Sequence, residues 1–167
     1  SSPSPTAPHT NWATAAVSIQ EAIDASLSGD VILATNGVYA SGGKVMSGDL
    51  TNRIALTRAL TVMSVNGPSA TFIEGLKDPT TTNGPAAVRP AWLTAGAWLD
   101  GFTIRNGGTR STGDQTHLRS GGGVWASGTN TMIANCILVS NAAHFAGGAF
   151  RGWLDRSTIS GNFAQTD

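Results

Sequence analysis

The sequence predicts an all-β protein: a right-handed parallel β-helix built from coils of ~21 residues, with an α-helix covering its N-terminal end. An apolar motif repeats through the second half of the chain, and glycine pairs recur in step with it. One amphipathic segment near the N-terminus supplies the helix. Several short strands within each period of about 20 residues are typical of a solenoid, whereas sandwiches and barrels lack such self-similarity.

The repeat is clearest in three stretches: "LDGFTIRN" from Leu99, "IANCILVSN" from Ile133 and "LDRSTISGN" from Leu154. Ile133 and Leu154 are 21 residues apart, while Leu99 and Ile133 are 34 apart. The difference of 13 equals the length of a loop excursion at 107–119, so we predict one repeat with a loop inserted in one copy. The rows expected to stack are Leu99–Ile133–Leu154, Phe102–Cys136–Ser157, Ile104–Leu138–Ile159 and Asn141–Asn162.

The glycine pairs give a second alignment, in which Gly122-Gly123 match Gly147-Gly148 and Trp125 matches Phe150. A phosphate-binding loop would open a helix, and no helical pattern follows these glycines. We therefore assign them to a crowded corner of the coil. The pattern leaves open whether the aromatic row of Trp125 and Phe150 points inward or outward.

Residues 1–10 read as a flexible Ser/Pro-rich tail, and residues 11–167 as a single β-helix domain. A cap helix is predicted over about 14–28, with Thr14 as N-cap and Gly29 at its C-terminal end. Covering the first coil would protect strand edges that otherwise promote aggregation. Coils follow over 30–167, with loop excursions at 76–90 and 107–119. The helix face expected to be buried contains Ala16, Ile19, Ile23 and Leu27.

Composition narrows the possible partners. The formal net charge is zero and charged residues are only 12% of the chain, so neither nucleic acid nor an anionic membrane surface is indicated. No apolar run reaches the ~18 residues that span a membrane. Cys136 is the single cysteine; it cannot form an internal disulfide and is expected to be a buried core thiol.

The stretch from Asn11 through "VILATNGVYASGG", "ALTVMSVNGPSATFIEG", "GGGVWASG", "NCILVSN" and "GGAF" resembles the parallel β-helix proteins of the pectin-lyase-like superfamily. Within that superfamily it is similar to exported bacterial proteins with polymorphic-outer-membrane-type repeats. The resemblance implies the fold and an extracellular or cell-surface location. It leaves function open, because the superfamily includes lyases, glycosidases, adhesins and secreted passengers.

Asp100 and Asp155 are the candidate catalytic pair, since they hold equivalent positions two coils apart. That places them about 10 Å apart, near the upper end of the carboxylate spacing in inverting glycosidases. Ala134 lies between them, and either aspartate could simply serve in a turn. Arg105 is a candidate to bind a sugar or carboxylate, and Arg156 is expected to pair with the adjacent Asp155.

Trp92, Trp98 and Trp125 are candidate ligand-binding residues, because aromatic faces stack on sugars. Trp92 and Trp98 share a strand face only if no turn separates them, and Ala95-Gly96 indicates a turn. His117 is a candidate within the 107–119 loop. No metal site or cofactor is expected: the histidines lack partners at ligand spacing, and a calcium site, although possible, has only scattered carboxylates. The residues considered for metals were His9, His117, His144, Asp49, Asp78 and Asp114.

The neutral, Thr/Asn/Ser-rich surface favours a non-enzymatic structural or adhesive domain of a secreted or surface-located bacterial protein. The first alternative is a carbohydrate-active β-helix that binds or cleaves polysaccharide beside the two loop excursions. The second follows from the ending "ISGNFAQTD", which lies within a repeat. It predicts either a fragment of a longer solenoid or a subunit that self-associates end to end into a filament.

Overall fold

The computed structural model describes residues 5–7 and 9–165, so part of the predicted 1–10 tail and the last two residues lie outside the described residues. The described chain forms one helix, α1 (Ile19–Ala25), and otherwise strands and loops. The strands are β1 (Val31–Ala34), β2 (Gly37–Tyr39), β3 (Lys44–Ser47), β4 (Leu50–Leu56), β5 (Thr61–Ser64), β6 (Thr71–Glu74), β7 (Val88–Leu93), β8 (Trp98–Asp100), β9 (Thr103–Arg105), β10 (Val124–Ala126), β11 (Met132–Ala134), β12 (Ile137–Val139), β13 (Ala142–Ala143), β14 (Ala149–Phe150), β15 (Trp153–Asp155), β16 (Thr158–Ser160) and β17 (Phe163–Ala164).

The strands form three five-stranded sheets that run the length of a parallel β-helix, which confirms the predicted fold class. Sheet A has the order β1-β5-β8-β11-β15, sheet B β2-β6-β9-β12-β16, and sheet C β3-β4-β7-β10-β14. A short fourth pair joins β13 to β17. Every pairing is parallel except that of β3 with β4, which form an antiparallel hairpin.

The register confirms the repeat alignment residue by residue. Ile133 pairs with Leu99 on one side and Leu154 on the other, and Leu138 pairs with Ile104 and Ile159. The 21-residue spacing, however, describes only the last coil, in the steps from β11 to β15, β12 to β16 and β13 to β17. Earlier steps in sheet A are 30, 37 and 34 residues long, because the β3–β4 hairpin and the two loop excursions enlarge those coils.

Alternate side chains of every sheet point into one continuous apolar core, as the period of two in a strand requires. Full burial of a large aliphatic or aromatic side chain contributes about 1.5–3 kcal/mol, so stacked rows account for most of the stabilisation. The Cys136 thiol is buried in this core, and burial raises its pKa to about 12. The largest fully buried apolar side chains are Phe102, Ile23, Leu50, Ile54, Leu56, Ile73, Leu93, Leu99, Ile104, Ile133 and Leu138.

The helix is shorter than predicted, beginning after Ser18 and not after Thr14. The Ser18 hydroxyl accepts a hydrogen bond from Glu21 N, and Glu21 Oε2 accepts one from Val17 N, an arrangement close to a capping box. Thr14 belongs instead to a turn closed by Asn11, whose side chain accepts from the Thr14 amide.

At its other end the helix stops at Ser26 instead of running to Gly29, because the Ser26 hydroxyl and amide both donate to Ile23 O. Leu27, expected on the buried face, lies beyond the helix and is 74% exposed.

The short helix nevertheless covers part of the first coil. Ile19 and Ile23 pack into the core, and Gln20 Oε1 accepts a hydrogen bond from Ala55 N over 2.7 Å. The glutamine side chain thereby accepts the hydrogen bond that the carbonyl of a neighbouring strand would otherwise accept from β4.

The loop excursion predicted at 76–90 ends earlier than expected, since β7 begins at Val88. Asp78 organises the turn: its carboxylate accepts hydrogen bonds from the amides of Thr80, Thr81 and Ala86. These backbone bonds, led by that from Ala86, lower the pKa of Asp78 to about 2. The 107–119 loop contains no strand, as predicted.

Candidate functional site

The outer face of sheet A carries a row of exposed large side chains. Because Leu99, Ile133 and Leu154 point into the core, the residue before each of them points outward. Those residues are Trp98, Met132 and Trp153, which are paired in register across β8, β11 and β15. Trp98 is 42% exposed and Trp153 is 59% exposed. Two tryptophans therefore lie on one open surface, two strands apart.

A row of shorter side chains runs beside the tryptophans, formed by Asp100, Ala134 and Asp155. The predicted register of the two aspartates is therefore correct, with Ala134 between them. The carboxylates are linked through the turn that follows each strand. Asn135 Nδ2 donates to Asp100 Oδ1 over 2.8 Å, and Arg156 Nε donates to Asn135 Oδ1 over 3.0 Å. Arg156 also pairs with Asp155 at 2.9 Å, the ion pair expected from the sequence.

The turn places these polar side chains by backbone geometry. Asn135 and Arg156 have φ values of 49° and 44°, in the left-handed region where asparagine is tolerated better than most residues. The equivalent position in the preceding coil is Gly101, at φ 78°. The result is an apolar aromatic platform with hydrogen-bonding groups along one side. This combination is typical of surfaces that bind sugars.

Trp92 and Trp125 lie on the outer face of sheet C, which settles the direction that the sequence left open. Val124 and Ala126 point into the core, whereas Trp125 stacks on Trp92 with ring centroids 3.7 Å apart. Both rings are covered: Trp92 is 6% and Trp125 5% exposed. Because neither ring offers a face to solvent, these two candidates do not belong to the platform on sheet A.

The cover over Trp92 and Trp125 is the 107–119 loop. Trp125 Nε1 donates to Thr116 O over 2.9 Å, and the His117 ring lies 5.2 Å from that of Trp125 and 5.8 Å from that of Trp92. His117 Nδ1 contacts Asp114 Oδ1 at 2.8 Å. His117 is thus a packing residue of the cover, although part of its side chain reaches solvent.

Arg89 fastens this loop to β7. Its guanidinium is buried and donates to the carbonyl oxygens of Gly121, Ser120 and His117 and to Asn52 Oδ1, over 2.7 to 2.9 Å. All four partners are neutral oxygens. Burial, with a smaller effect of nearby Arg110, lowers the pKa of Arg89 to about 9, so the group stays charged at neutral pH.

Arg105 is held on the outer face of sheet B, away from the row of aspartates on sheet A. It pairs with Glu74 at 2.8 Å, and its guanidinium lies over the Phe72 ring at 4.6 Å. The hydrogen bond from Arg105 lowers the pKa of Glu74 below its usual value, with Asn106 contributing a second bond. The structure therefore does not bring Arg105 together with Asp100 and Asp155.

The scattered carboxylates considered for calcium have separate partners. Asp49 pairs with Arg110, Asp114 with His117, and Asp78 with backbone amides. Within residues 5–7 and 9–165, no three His, Cys, Asp or Glu side chains gather as a metal site would require. The described helix is also too short to cross a membrane.

Sequence reasoning missed Trp153 and Met132 as members of the candidate site. The signal was present: the tripeptide Trp-Leu-Asp occurs at 98–100 and again at 153–155, in the same register of the repeat. The aligned repeats start at the core residues Leu99, Ile133 and Leu154, each of which follows the outward residue by one position, so Trp98, Met132 and Trp153 are not included. Trp92 and Trp98 are close in sequence, but the turn at Gly96 places their side chains on different sheets.

Comparison of the chain with protein-family models, curated proteins and solved structures finds no match.

Proposed function

We propose that this protein is a non-enzymatic adhesive β-helix domain that binds polysaccharide on the outer face of sheet A. The observation that carries the proposal is the pair Trp98 and Trp153, exposed in one row and flanked by Asp100 and Asp155. A continuous row of large exposed apolar side chains indicates an interaction site, whereas single exposed ones do not. Sugar rings present C–H faces to aromatic rings and hydroxyls to a polar edge, and this surface supplies both.

An extracellular or cell-surface location in a bacterium belongs to the same proposal, as does membership of the pectin-lyase-like superfamily. Support comes from the parallel sheets, the helix at the first coil and the asparagine pairs that bridge neighbouring coils. The surface is also poor in charge, with charged residues only 12% of the chain. Such a surface suits contact with neutral glycans better than contact with a charged polymer.

Binding is favoured over cleavage by the state of the carboxylates. A glycosidase needs one carboxylic acid whose raised pKa keeps it protonated at working pH. Where a carboxylate pKa departs from its ordinary value here, hydrogen bonds lower it, as in Glu74, Asp78 and Asp114. Asp100 and Asp155 are both partly open to solvent and each contacts a fixed polar neighbour, so neither lies in the apolar pocket that such an acid occupies.

The decisive experiment compares Trp98→Ala and Trp153→Ala with the unmodified protein by affinity electrophoresis in gels containing a panel of plant, fungal and bacterial polysaccharides. Each substitution is expected to weaken binding about tenfold, because the loss of one aromatic contact costs about 1.4 kcal/mol of binding free energy. Trp12→Ala is the matched control, since Trp12 is 56% exposed but lies before α1, beside the first coil and outside the strand row that contains Trp98 and Trp153. Unchanged mobility of both sheet A variants, or an equal loss in the control, would refute the proposal.

A carbohydrate-cleaving role is the second candidate, favoured by one observation: Asp100, Asp155 and Arg156 belong to one hydrogen-bonded chain on an exposed face. Cleavage would require new reducing ends or unsaturated products from a polysaccharide panel, with and without Ca²⁺. Asp100→Asn and Asp155→Asn would each abolish such products while leaving binding in place. The absence of any product across the panel would eliminate this candidate.

End-to-end association is a third candidate, favoured by exposed apolar side chains in both outermost coils. Sedimentation velocity at rising protein concentration measures it directly. Growth of the mean mass with concentration supports association, and an unchanged monomer at the highest soluble concentration rules it out. The exposed side chains are Val31, Leu33 and Val38 in the first coil, and Trp153, Ile159 and Phe163 in the last.

A further inference from the structure

We infer that the ligand of the sheet A platform is an uncharged, β-1,4-linked polysaccharide in its extended ribbon form, lying across the strands along the axis of the β-helix. The inference rests on the proposed function and specifies which glycan it concerns. Three features of the platform carry it: the spacing of the two tryptophans, the residue between them and the charges beside them.

The spacing follows from the strand register. Trp98 pairs with Met132, and Met132 pairs with Trp153, so the tryptophans are separated by two strand intervals. Neighbouring strands are ~4.8 Å apart, which places the two tryptophan Cα atoms about 10 Å apart along the helix axis. In a β-1,4-linked ribbon each sugar is turned over relative to the one before it. The same ring face therefore recurs once per disaccharide, a length close to this separation.

An α-1,4-linked glucan fits the same row poorly. Its chain curves into a helix, so sugar faces separated by one disaccharide do not lie in a common plane. A straight row of contacts on a sheet requires a straight ligand. The ribbon meets this requirement without the loss of conformational freedom that straightening a helical chain would cost.

Met132 occupies the position between the two tryptophans and is half-buried. Its thioether is unbranched and polarisable, so it can pack against a sugar ring of either orientation. The row continues past Trp98 to Thr61 and Val31, again without a charge. A ribbon following the row therefore meets aromatic, aliphatic and hydroxyl groups and crosses no charged side chain.

Charge distinguishes neutral ribbons from polyuronates. The groups beside the row are the carboxylates of Asp100 and Asp155 and the guanidinium of Arg156. Arg156 is already engaged with Asp155 and Asn135, which leaves the carboxylate oxygens as the acceptors that face a ligand. Carboxylates accept hydrogen bonds from sugar hydroxyls and repel the carboxylates of a uronate chain. An uncharged ligand is therefore favoured.

The test uses four soluble probes of defined chemistry: cellotetraose, cellobiose, maltotetraose and tetragalacturonate, titrated into the full chain by calorimetry or by chemical-shift perturbation. We expect cellotetraose to bind about tenfold or more tightly than each of the other three. Trp98→Ala and Trp153→Ala should each reduce cellotetraose binding to the level of cellobiose, because only the longer sugar reaches both rings. Trp12→Ala again serves as the control.

A second arm tests the charge. The double variant Asp100→Asn, Asp155→Asn should shift the affinity ratio toward tetragalacturonate by several-fold, since the repulsion is removed while amide oxygens remain as acceptors. An unchanged ratio would contradict the role given to these carboxylates.

The outcomes separate this inference from the proposed function. If maltotetraose or tetragalacturonate binds as tightly as cellotetraose, and binding is lost in Trp98→Ala, the ligand class is wrong and the binding face stands. If cellotetraose and cellobiose bind equally, the two-ring register is wrong. If no glycan of any class binds, the proposed function fails and this inference fails with it.

Discussion

Gly122 and Gly123 lie where the backbones of neighbouring coils are in close contact. A Cβ on Gly123 would lie 2.6 Å from Gly148 O and 2.8 Å from Asn141 Nδ2, and one on Gly122 would meet Ala142 O. Real Cβ atoms do not tolerate such contacts, so any larger residue would push the coils apart. The glycine pair and its counterpart one coil later therefore serve backbone packing, as the repeat indicated.

Asn141 is the polar counterpart of these glycines. Its buried side chain accepts a hydrogen bond from Gly107 N and donates to Ile104 O and Asn162 Oδ1, all over 2.8 to 2.9 Å. Asn141→Ala would leave a buried amide and carbonyl unpaired, and we expect the free energy of unfolding to fall by about 3 kcal/mol. Urea denaturation followed by circular dichroism measures the loss.

Asn162→Ala is the internal comparison for that experiment. Asn162 occupies the same position one coil later but is half-buried, so water can replace part of its bonding. Its substitution should cost less than that of Asn141. Equal losses in the two variants would show that burial does not set the strength of the asparagine pair.

The 107–119 loop is held by hydrogen bonds from Arg89 and Trp125 and by those that its own Arg110 makes to Asp49 and Gly84. Arg89 donates to the carbonyl oxygen of His117 in the loop and to those of Ser120 and Gly121 just after it, and removal of the guanidinium deprives all three oxygens of this donor. Arg89→Met is expected to destabilise the protein by about 3 kcal/mol and to release the loop. Trypsin cleavage at Arg110 and Arg119 should accelerate, and acrylamide should quench the fluorescence of Trp92 and Trp125 more strongly.

Arg151→Met provides the control for loop release. Arg151 is exposed and lies over the Phe150 ring at the far edge of sheet C, without contact to the loop carbonyls. In this variant the rate of trypsin cleavage at Arg110 and Arg119 and the acrylamide quenching of Trp92 and Trp125 should match those of the unmodified protein. If Arg89→Met also matches it, the loop is held by its aromatic contacts and not by the guanidinium.

The whole molecule should lose stability in acid through its hydrogen-bonded carboxylates. Folding lowers the pKa of Glu74, Asp78 and Asp114, so the unfolded chain binds more protons below about pH 4.5. Their stabilisation is complete above the unfolded pKa values and is lost as the pH falls toward about 2, the pKa of folded Asp78. Thermal unfolding between pH 7 and pH 2 should show a flat midpoint down to about pH 5 and a steep fall below it.

Asp78→Asn tests the largest of these shifts. The amide keeps one acceptor but removes the charge, so the midpoint should be lower at pH 7 and fall less steeply between pH 4 and pH 2. Asp24→Asn, on the exposed face of α1 and paired with Lys44, should retain the steep fall of the unmodified protein. An Asp78→Asn curve parallel to that of the unmodified protein would contradict the assignment.

The coil register was readable in the sequence because it is periodic. Core apolar residues, asparagines and glycine pairs recur in the same order although the coils differ in length, and stacking places each on its counterpart in the next coil. The Trp-Leu-Asp repeat contains the signal for the outward row on sheet A, but an alignment on the core leucines does not include these tryptophans. The helix ends were less readable, since Thr14 and Ser18 both suit an N-cap and only the packing of Ile19 and Ile23 selects Ser18.

Only the tertiary structure determines which of the outward aromatic residues are exposed to solvent. Trp92, Trp98 and Trp125 all point away from the core, yet the 107–119 loop folds over sheet C and leaves sheet A bare. Hydrogen bonds of Arg89, Arg110 and Trp125 hold the loop there, and Arg89 reaches carbonyl partners about 30 residues away in the sequence. Periodicity specifies which face a residue takes, whereas long-range, aperiodic contacts determine which faces stay exposed to water.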